Sequence, residues 1–187
     1  MSLFRTLWRC SLLGLVVGLV VGGGGSRLAM RIVALANDEF TGTLTDAGER
    51  VGEISAGGTF FLLFAGALFG MFGGAAYALL RAWLPQQALL RALVFGLGLL
   101  AFTAFFQGLV NADGVDFELF QPVALSIAMF AALPLLYALA LTFLAGRFAP
   151  GPFGPLRRST ALVGGAAIAV FIAAGLTQFG VTVAEII

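Results

Sequence analysis

The sequence predicts an all-α fold: a polytopic membrane helix bundle of five transmembrane helices, with the N-terminus inside and the C-terminus outside. Hydrophobic residues make up 60% of the 187 residues and charged residues only 10%, whereas a soluble domain carries about 25% charged residues. The mean hydropathy is +1.06. Five apolar stretches are also long enough to cross a hydrocarbon core of about 30 Å, which takes about 20 helical residues.

The predicted spans cover most of the chain, which we treat as one integral membrane domain of residues 1–187. The first span covers about residues 10–26, with an extension to residue 36 as the alternative. A cleaved signal peptide is a competing interpretation of this segment, but a small-x-small cleavage site is poorly defined. The alternating pattern of a membrane barrel is absent, so helices are expected. The remaining spans are predicted near residues 59–80, 92–110, 122–145 and 160–183.

The orientation follows from the distribution of charge among the linkers. One side of the bundle holds seven arginines and no acidic residue: Arg5, Arg9, Arg81, Arg91, Arg147, Arg157 and Arg158. The other side holds all nine acidic residues: Asp38, Glu39, Asp46, Glu49, Glu53, Asp113, Asp116, Glu118 and Glu185. The positive-inside rule places the arginine-rich side in the cytoplasm. Arginine without any lysine suggests a GC-rich genome, and we expect the plasma membrane of a bacterium.

The first outer linker, residues 37–58, has the chemistry of a small β-hairpin. Residues 41–45 and 50–54 are prone to extended structure, and the Asp-Ala-Gly-Glu sequence at 46–49 is typical of a turn. The other outer linker is acidic, but its spacing does not match that of a calcium-binding loop.

The composition excludes most catalytic chemistry. The chain has no His and a single Cys, Cys10, so zinc, haem and iron–sulfur sites of the usual kinds are not expected. Nucleophile–base pairs built on His or Lys are also unavailable. We therefore predict no catalytic, cofactor-binding or metal-binding residues and no enzymatic activity. Nucleic acid is excluded as a partner because an extended basic patch is missing.

Glycines recur every four residues on each of the first two spans. Such spacing leaves one helix face without side chains, so that a neighbouring backbone can approach closely. Packing between these two spans of one chain explains both rows, and a dedicated oligomer face is the alternative. Gly175 belongs to neither row, so a larger side chain there is expected to be milder in effect. The two rows are Gly14, Gly18 and Gly22 on the first span and Gly66, Gly70 and Gly74 on the second.

A candidate outer site for an anion or a lipid headgroup combines Arg27, Arg31, Gln107 and Gln178. The two arginines lie four residues apart and hence on one helix face. Arg27 follows Arg9 by about 27 Å of helix rise, which puts it at the outer boundary of the membrane. The plainer interpretation is that both arginines reach the headgroups or pair with Asp38 and Glu39. The alternative is a short interfacial helix over residues 27–36, after a glycine hinge, that binds an anion.

Two function classes remain open. The leading one is a non-enzymatic packing, assembly or accessory subunit, because glycine faces and short loops are present and reactive groups are few. Its partners would be the lipid bilayer, other membrane proteins or further copies of the chain. The alternative is a carrier or pore component for a small or anionic solute, with the outer arginines lining a vestibule. The four later spans hold no ionisable acid or base at mid-depth, which argues against ion-coupled transport.

Overall fold

The computed structural model describes residues 3–36, 55–106, 123–149 and 158–186. All regular secondary structure in these ranges is helical. The elements in chain order are α1 (Leu3–Val17), a π-helical segment (Gly18–Gly24), α2 (Gly25–Ala36), α3 (Ala56–Leu80), α4 (Ala88–Phe106), α5 (Val123–Phe148) and α6 (Arg158–Ile186).

Five helices in the described ranges are long and apolar enough to cross a membrane, and the predicted five-span helical bundle is confirmed to that extent. The protein is therefore a multi-pass membrane protein. The predicted β-hairpin at residues 41–54 lies outside the described residues. The five spans are Phe4–Ala36, Ala56–Leu80, Ala88–Phe105, Ala124–Phe148 and Leu162–Ala184.

The first span, made of α1, the π segment and α2, is a single helix of 33 residues, or about 50 Å at 1.5 Å per residue. The glycine hinge considered from the sequence is wrong, because Gly25 has helical backbone angles (φ −63°, ψ −40°) and its N–H donates to the carbonyl of Val20. In lipid no water competes for backbone groups, so a glycine run keeps its internal hydrogen bonds. Residues 27–36 therefore continue the first span.

The helices pack in the order α3, first span, α5, α4, α6. α3 runs along α1 and the π segment, α5 contacts both the first span and α4, and α6 packs on α4. α3 and α4 follow one another in the chain, yet they are not packed side by side along their length. The arrangement is therefore a curved row of helices whose hollow lies between α3 and α4.

The core lies towards one end of the bundle, which we call the basic end because it carries Arg9, Arg81 and Arg91. The side chain of Tyr77 is fully buried there. Its ring meets that of Phe95 edge-on, with the ring centroids 5.2 Å apart. This aromatic pair joins α3 to α4 at the basic end, and the hollow between the two helices begins beyond it.

Arginines at the basic end bind backbone carbonyls where helices terminate. Nη1 of Arg81 donates to the carbonyl of Ala149, just after α5, at 2.9 Å. Nε of Arg91 donates to the carbonyl of Pro85, in the link between α3 and α4, at 2.8 Å. The last carbonyls of a helix have no partner within the helix, so Arg81 satisfies a carbonyl at the end of α5 and complements the dipole of that helix.

Candidate functional site

The structure places both outer arginines on α2, at the end of the first span far from the basic end. Arg27 is half-buried, and its Nη2 donates to the carbonyl of Ser55 at 3.3 Å. The Nε atom of Arg27 is buried without a hydrogen-bond partner among the described residues. Ser55 also caps α3, since its Oγ accepts from the N–H of Gly58 at 3.0 Å. Arg27 thus ties the end of the first span to the start of α3.

Of the other members of the predicted outer site, Arg31 and Gln178 lie among the described residues. Arg31 is exposed on α2, and Gln178 is exposed on α6, which packs on α4 rather than on α2. Gln107 lies outside the described residues. A cavity of about 820 Å³ between α3 and α4 is lined by none of Arg27, Arg31 and Gln178. A joint anion site for these residues stays a prediction.

The glycine rows of the first span and α3 lie directly against each other. A Cβ atom built on Gly18 would stand 2.6 Å from the Cα of Gly70, and one on Gly70 would stand equally close to the Cα of Gly18. A Cβ on Gly14 would stand 2.8 Å from the Cα of Gly74. Real Cβ contacts are essentially never shorter than 3.0 Å. The two backbones touch here, and only glycine allows it.

A tyrosine of α5 also binds at the contact between the glycine rows. The sequence analysis did not identify this tyrosine. The hydroxyl of Tyr137 donates to the carbonyl of Gly70 at 2.6 Å and is buried. A Cβ on Gly73 would stand 2.8 Å from this hydroxyl oxygen. Three spans therefore meet at one turn of α3. The chain has only two tyrosines, both within apolar spans. This signal is incomplete, because the Tyr137 hydroxyl is hydrogen-bonded whereas the buried Tyr77 hydroxyl has no partner among the described residues.

The expectation for Gly175 is wrong. A Cβ on Gly175 would stand 2.6 Å from the Cα of Ala101 on α4, as close as at the glycine rows. Gly164, three turns earlier on α6, faces the indole ring of Trp83. These positions share one helix face, and Gly175 escaped the four-residue pattern because its contact involves an alanine rather than a second glycine row.

The opposite face of α6 is exposed and, beyond Leu162 near the start of the helix, consists of small side chains. At 100° per residue, the positions facing away from Gly164 and Gly175 form one stripe along the helix. Gly180 lies in this stripe, and a Cβ atom built on it would meet nothing within 4 Å. All members of the stripe are exposed, and we call it the small-residue face: Ala166, Ala169, Ala173, Thr177, Gly180 and Ala184.

Within the described ranges, no three His, Cys, Asp or Glu side chains lie close enough together to hold a metal ion. The hydrogen bonds of Arg27, Ser55 and Tyr137 bind carbonyls, cap a helix or join spans. Comparison with models of protein families, with curated proteins and with solved structures finds no match to this chain.

Proposed function

We propose that this protein is a non-enzymatic, multi-pass membrane protein that serves as an assembly or accessory subunit. The observation that carries the proposal is the small-residue face of α6. Membrane helices associate through small residues, because these let two backbones approach and make extensive van der Waals contact. A face of this kind turned away from its own bundle is suited to a helix of another subunit.

The other exposed faces of the bundle differ from the small-residue face. α3 exposes large apolar side chains, among them Phe60, Phe64, Phe69 and Phe72, each with more than half of its surface accessible. Large side chains fill the space between lipid chains and give a helix no closely fitting protein surface. In this proposal lipid covers α3, and a partner helix covers α6.

We further propose that the N-terminus lies in the cytoplasm of a bacterium and the C-terminus outside, with the bundle in the plasma membrane. The gathering of Arg9, Arg81 and Arg91 at one end supports this orientation. In a chain with Cys10 replaced by Ala, a cysteine at Thr43 should react with a membrane-impermeant thiol reagent in intact cells. A cysteine at Ser159 should react only after the cells are opened. The reverse pattern would overturn the orientation.

Site-specific cross-linking tests the assembly role. In the same Cys10→Ala background, cysteines are placed at Ala169 and Ala173, on the small-residue face, and at Phe64 on α3 as the matched control. A short thiol-reactive cross-linker is added to native membranes, and the products are resolved by mass. We expect one adduct of defined mass from Ala169 and Ala173 and none from Phe64.

The mass of the adduct identifies the partner, since a doubled mass means a second copy and another value means a different protein. Absence of an adduct at both α6 positions, or equal labelling at Phe64, would contradict the proposal. Catalytic turnover by the purified chain would contradict the non-enzymatic part.

A further inference from the structure

The cavity between α3 and α4 is long and apolar. On α3 its lining runs from Leu62 to Leu80, which corresponds to about 27 Å of helix rise. This length is close to the thickness of the hydrocarbon core, about 30 Å. Phe72 and Phe102 stand on its two walls and are 60% and 44% exposed. The cavity therefore opens sideways, towards the lipid chains that surround a membrane protein.

Its polar lining groups are already satisfied by the protein. The Tyr137 hydroxyl donates to the carbonyl of Gly70, and the Ser26 hydroxyl donates to that of Gly22. The Thr103 hydroxyl donates to the carbonyl of Leu100 at 2.8 Å. Among the described residues, each lining hydroxyl already donates to a carbonyl, and an apolar cavity of this kind does not hold ordered water. This lining favours a hydrocarbon occupant.

The cavity is large enough for a flexible hydrocarbon chain. The volume of about 820 Å³ falls within the range of small-ligand sites, about 300–1,000 Å³. A lipid chain can therefore occupy part of its length.

The basic end supplies a charge complementary to an anionic headgroup. Leu80 and Leu84 line the cavity next to Arg81, and the guanidinium group of Arg91 lies on the same α3–α4 link, on the carbonyls of Pro85 and Gln86. Arginines beside the membrane surface attract anionic lipids. A chain in the cavity would put the headgroup of its lipid at this end.

We propose that the cleft between α3 and α4 binds the hydrocarbon chain of an anionic phospholipid, whose headgroup lies at Arg81 and Arg91. This site is separate from the small-residue face of α6 and goes beyond the assembly role, so either proposal can fail alone.

Gly98 allows a sharp test. It lines the cavity on α4, and a Cβ built on it meets nothing within 4 Å. A side chain at this position starts into open space, so a phenylalanine places its ring in the cleft. Gly165→Phe is the matched control, because a Cβ on Gly165 also meets nothing within 4 Å and Gly165 lies on α6 outside the cleft.

The full chain is incorporated into vesicles of phosphatidylglycerol and phosphatidylcholine, extracted in mild detergent, and its retained lipid is counted by native mass spectrometry. We expect retained phosphatidylglycerol to fall at least about tenfold in Gly98→Phe, the scale of steric discrimination in apolar pockets, and to be unchanged in Gly165→Phe. Arg91→Gln should reduce the preference for phosphatidylglycerol over phosphatidylcholine.

A second measurement uses the unmodified chain. Phosphatidylglycerol with a photoactivatable group midway along one chain should label Phe72, Phe95 or Phe102 in preference to the exposed Phe residues elsewhere on α3. Retention of lipid by Gly98→Phe at the level of the unmodified chain would overturn the proposal, as would uniform labelling of all exposed faces. Equal retention of phosphatidylglycerol and phosphatidylcholine would contradict the proposal that the headgroup is anionic. A disulfide between cysteines placed at Gly98 in two copies would assign the cleft to a second chain instead.

Discussion

The glycine rows and the small-residue face of α6 are alike in composition but opposite in setting. Gly14, Gly18, Gly66 and Gly70 are in contact with a backbone from the same chain. Ala169 and Ala173 on α6 are exposed. Lipid tails are as apolar as the helices, so apolar burial gives no driving force, and close packing is what makes small residues useful in membrane helices. The glycine rows show how this chain uses small residues, and the small-residue face of α6 has the same chemistry with no partner among the described residues.

The largest expected effect on stability is at the glycine rows of the first span and α3. Gly70→Leu should lower the free energy of unfolding by about 3 kcal/mol, because a side chain must push the first span away from α3 and also displaces the carbonyl bound by Tyr137. The measurement is thermal or denaturant unfolding in detergent. Gly165→Leu is the control, since a Cβ on Gly165 meets nothing within 4 Å. Equal losses in both variants would show that the rows are not a packing interface.

Hydropathy and charge were enough to predict five spans, because the hydrocarbon core imposes length and polarity on each helix separately. The continuity of the first span was not predictable in the same way. Glycine is a weak helix former in water, but lipid and the facing row of α3 keep residues 22–25 helical. The cleft between α3 and α4 could not be predicted from the sequence either. Gly98 and Phe102 do not differ from other span residues until the neighbours of α4 are known.

The site predictions depended on which helices are neighbours, and sequence spacing within one helix does not contain that information. Arg27 and Arg31 share a face of α2 as their spacing indicates, but the contact of Arg27 is the carbonyl of Ser55, which lies 28 residues away. Gly175 was misjudged for the same reason, because its partner Ala101 lies on another helix.

A smaller effect on stability is expected at Tyr137, where α5 contacts the glycine rows. Tyr137→Phe removes one hydrogen bond to the carbonyl of Gly70 and keeps the ring. Hydrogen bonds between membrane helices contribute about 0.6 kcal/mol on average and about 1.7 kcal/mol at most, so unfolding should become easier by about that amount. The double variant with Gly70→Leu should lose less than the sum, because both changes act on one contact. Strict additivity would contradict this coupling.

The expected effect of Arg27→Gln on stability is smaller still. The hydrogen bond to Ser55 is 3.3 Å long and the side chain is only half-buried, so a stability loss of about 0.5 kcal/mol is expected. If Arg27 instead binds an external anion, the variant should unfold like the unmodified chain and lose anion-dependent stabilisation. Thermal unfolding with and without added phosphate distinguishes the two outcomes. Arg31→Gln is the companion variant on the same face.

The smallest effect on the stability of the isolated chain is expected at the small-residue face of α6. The effect on assembly should be large there. Ala173→Leu adds a side chain that points away from the bundle, so unfolding of the purified chain should not change. Association should weaken by about tenfold or more, because overpacking at a close helix contact costs about 1–3 kcal/mol. Val170→Leu is the control, since Val170 is exposed on the flank of the stripe. The readout is the mass of complexes extracted from native membranes. If Ala173→Leu leaves those complexes intact, lipid covers α6 as it does α3, and small residues alone do not identify a contact face in this protein.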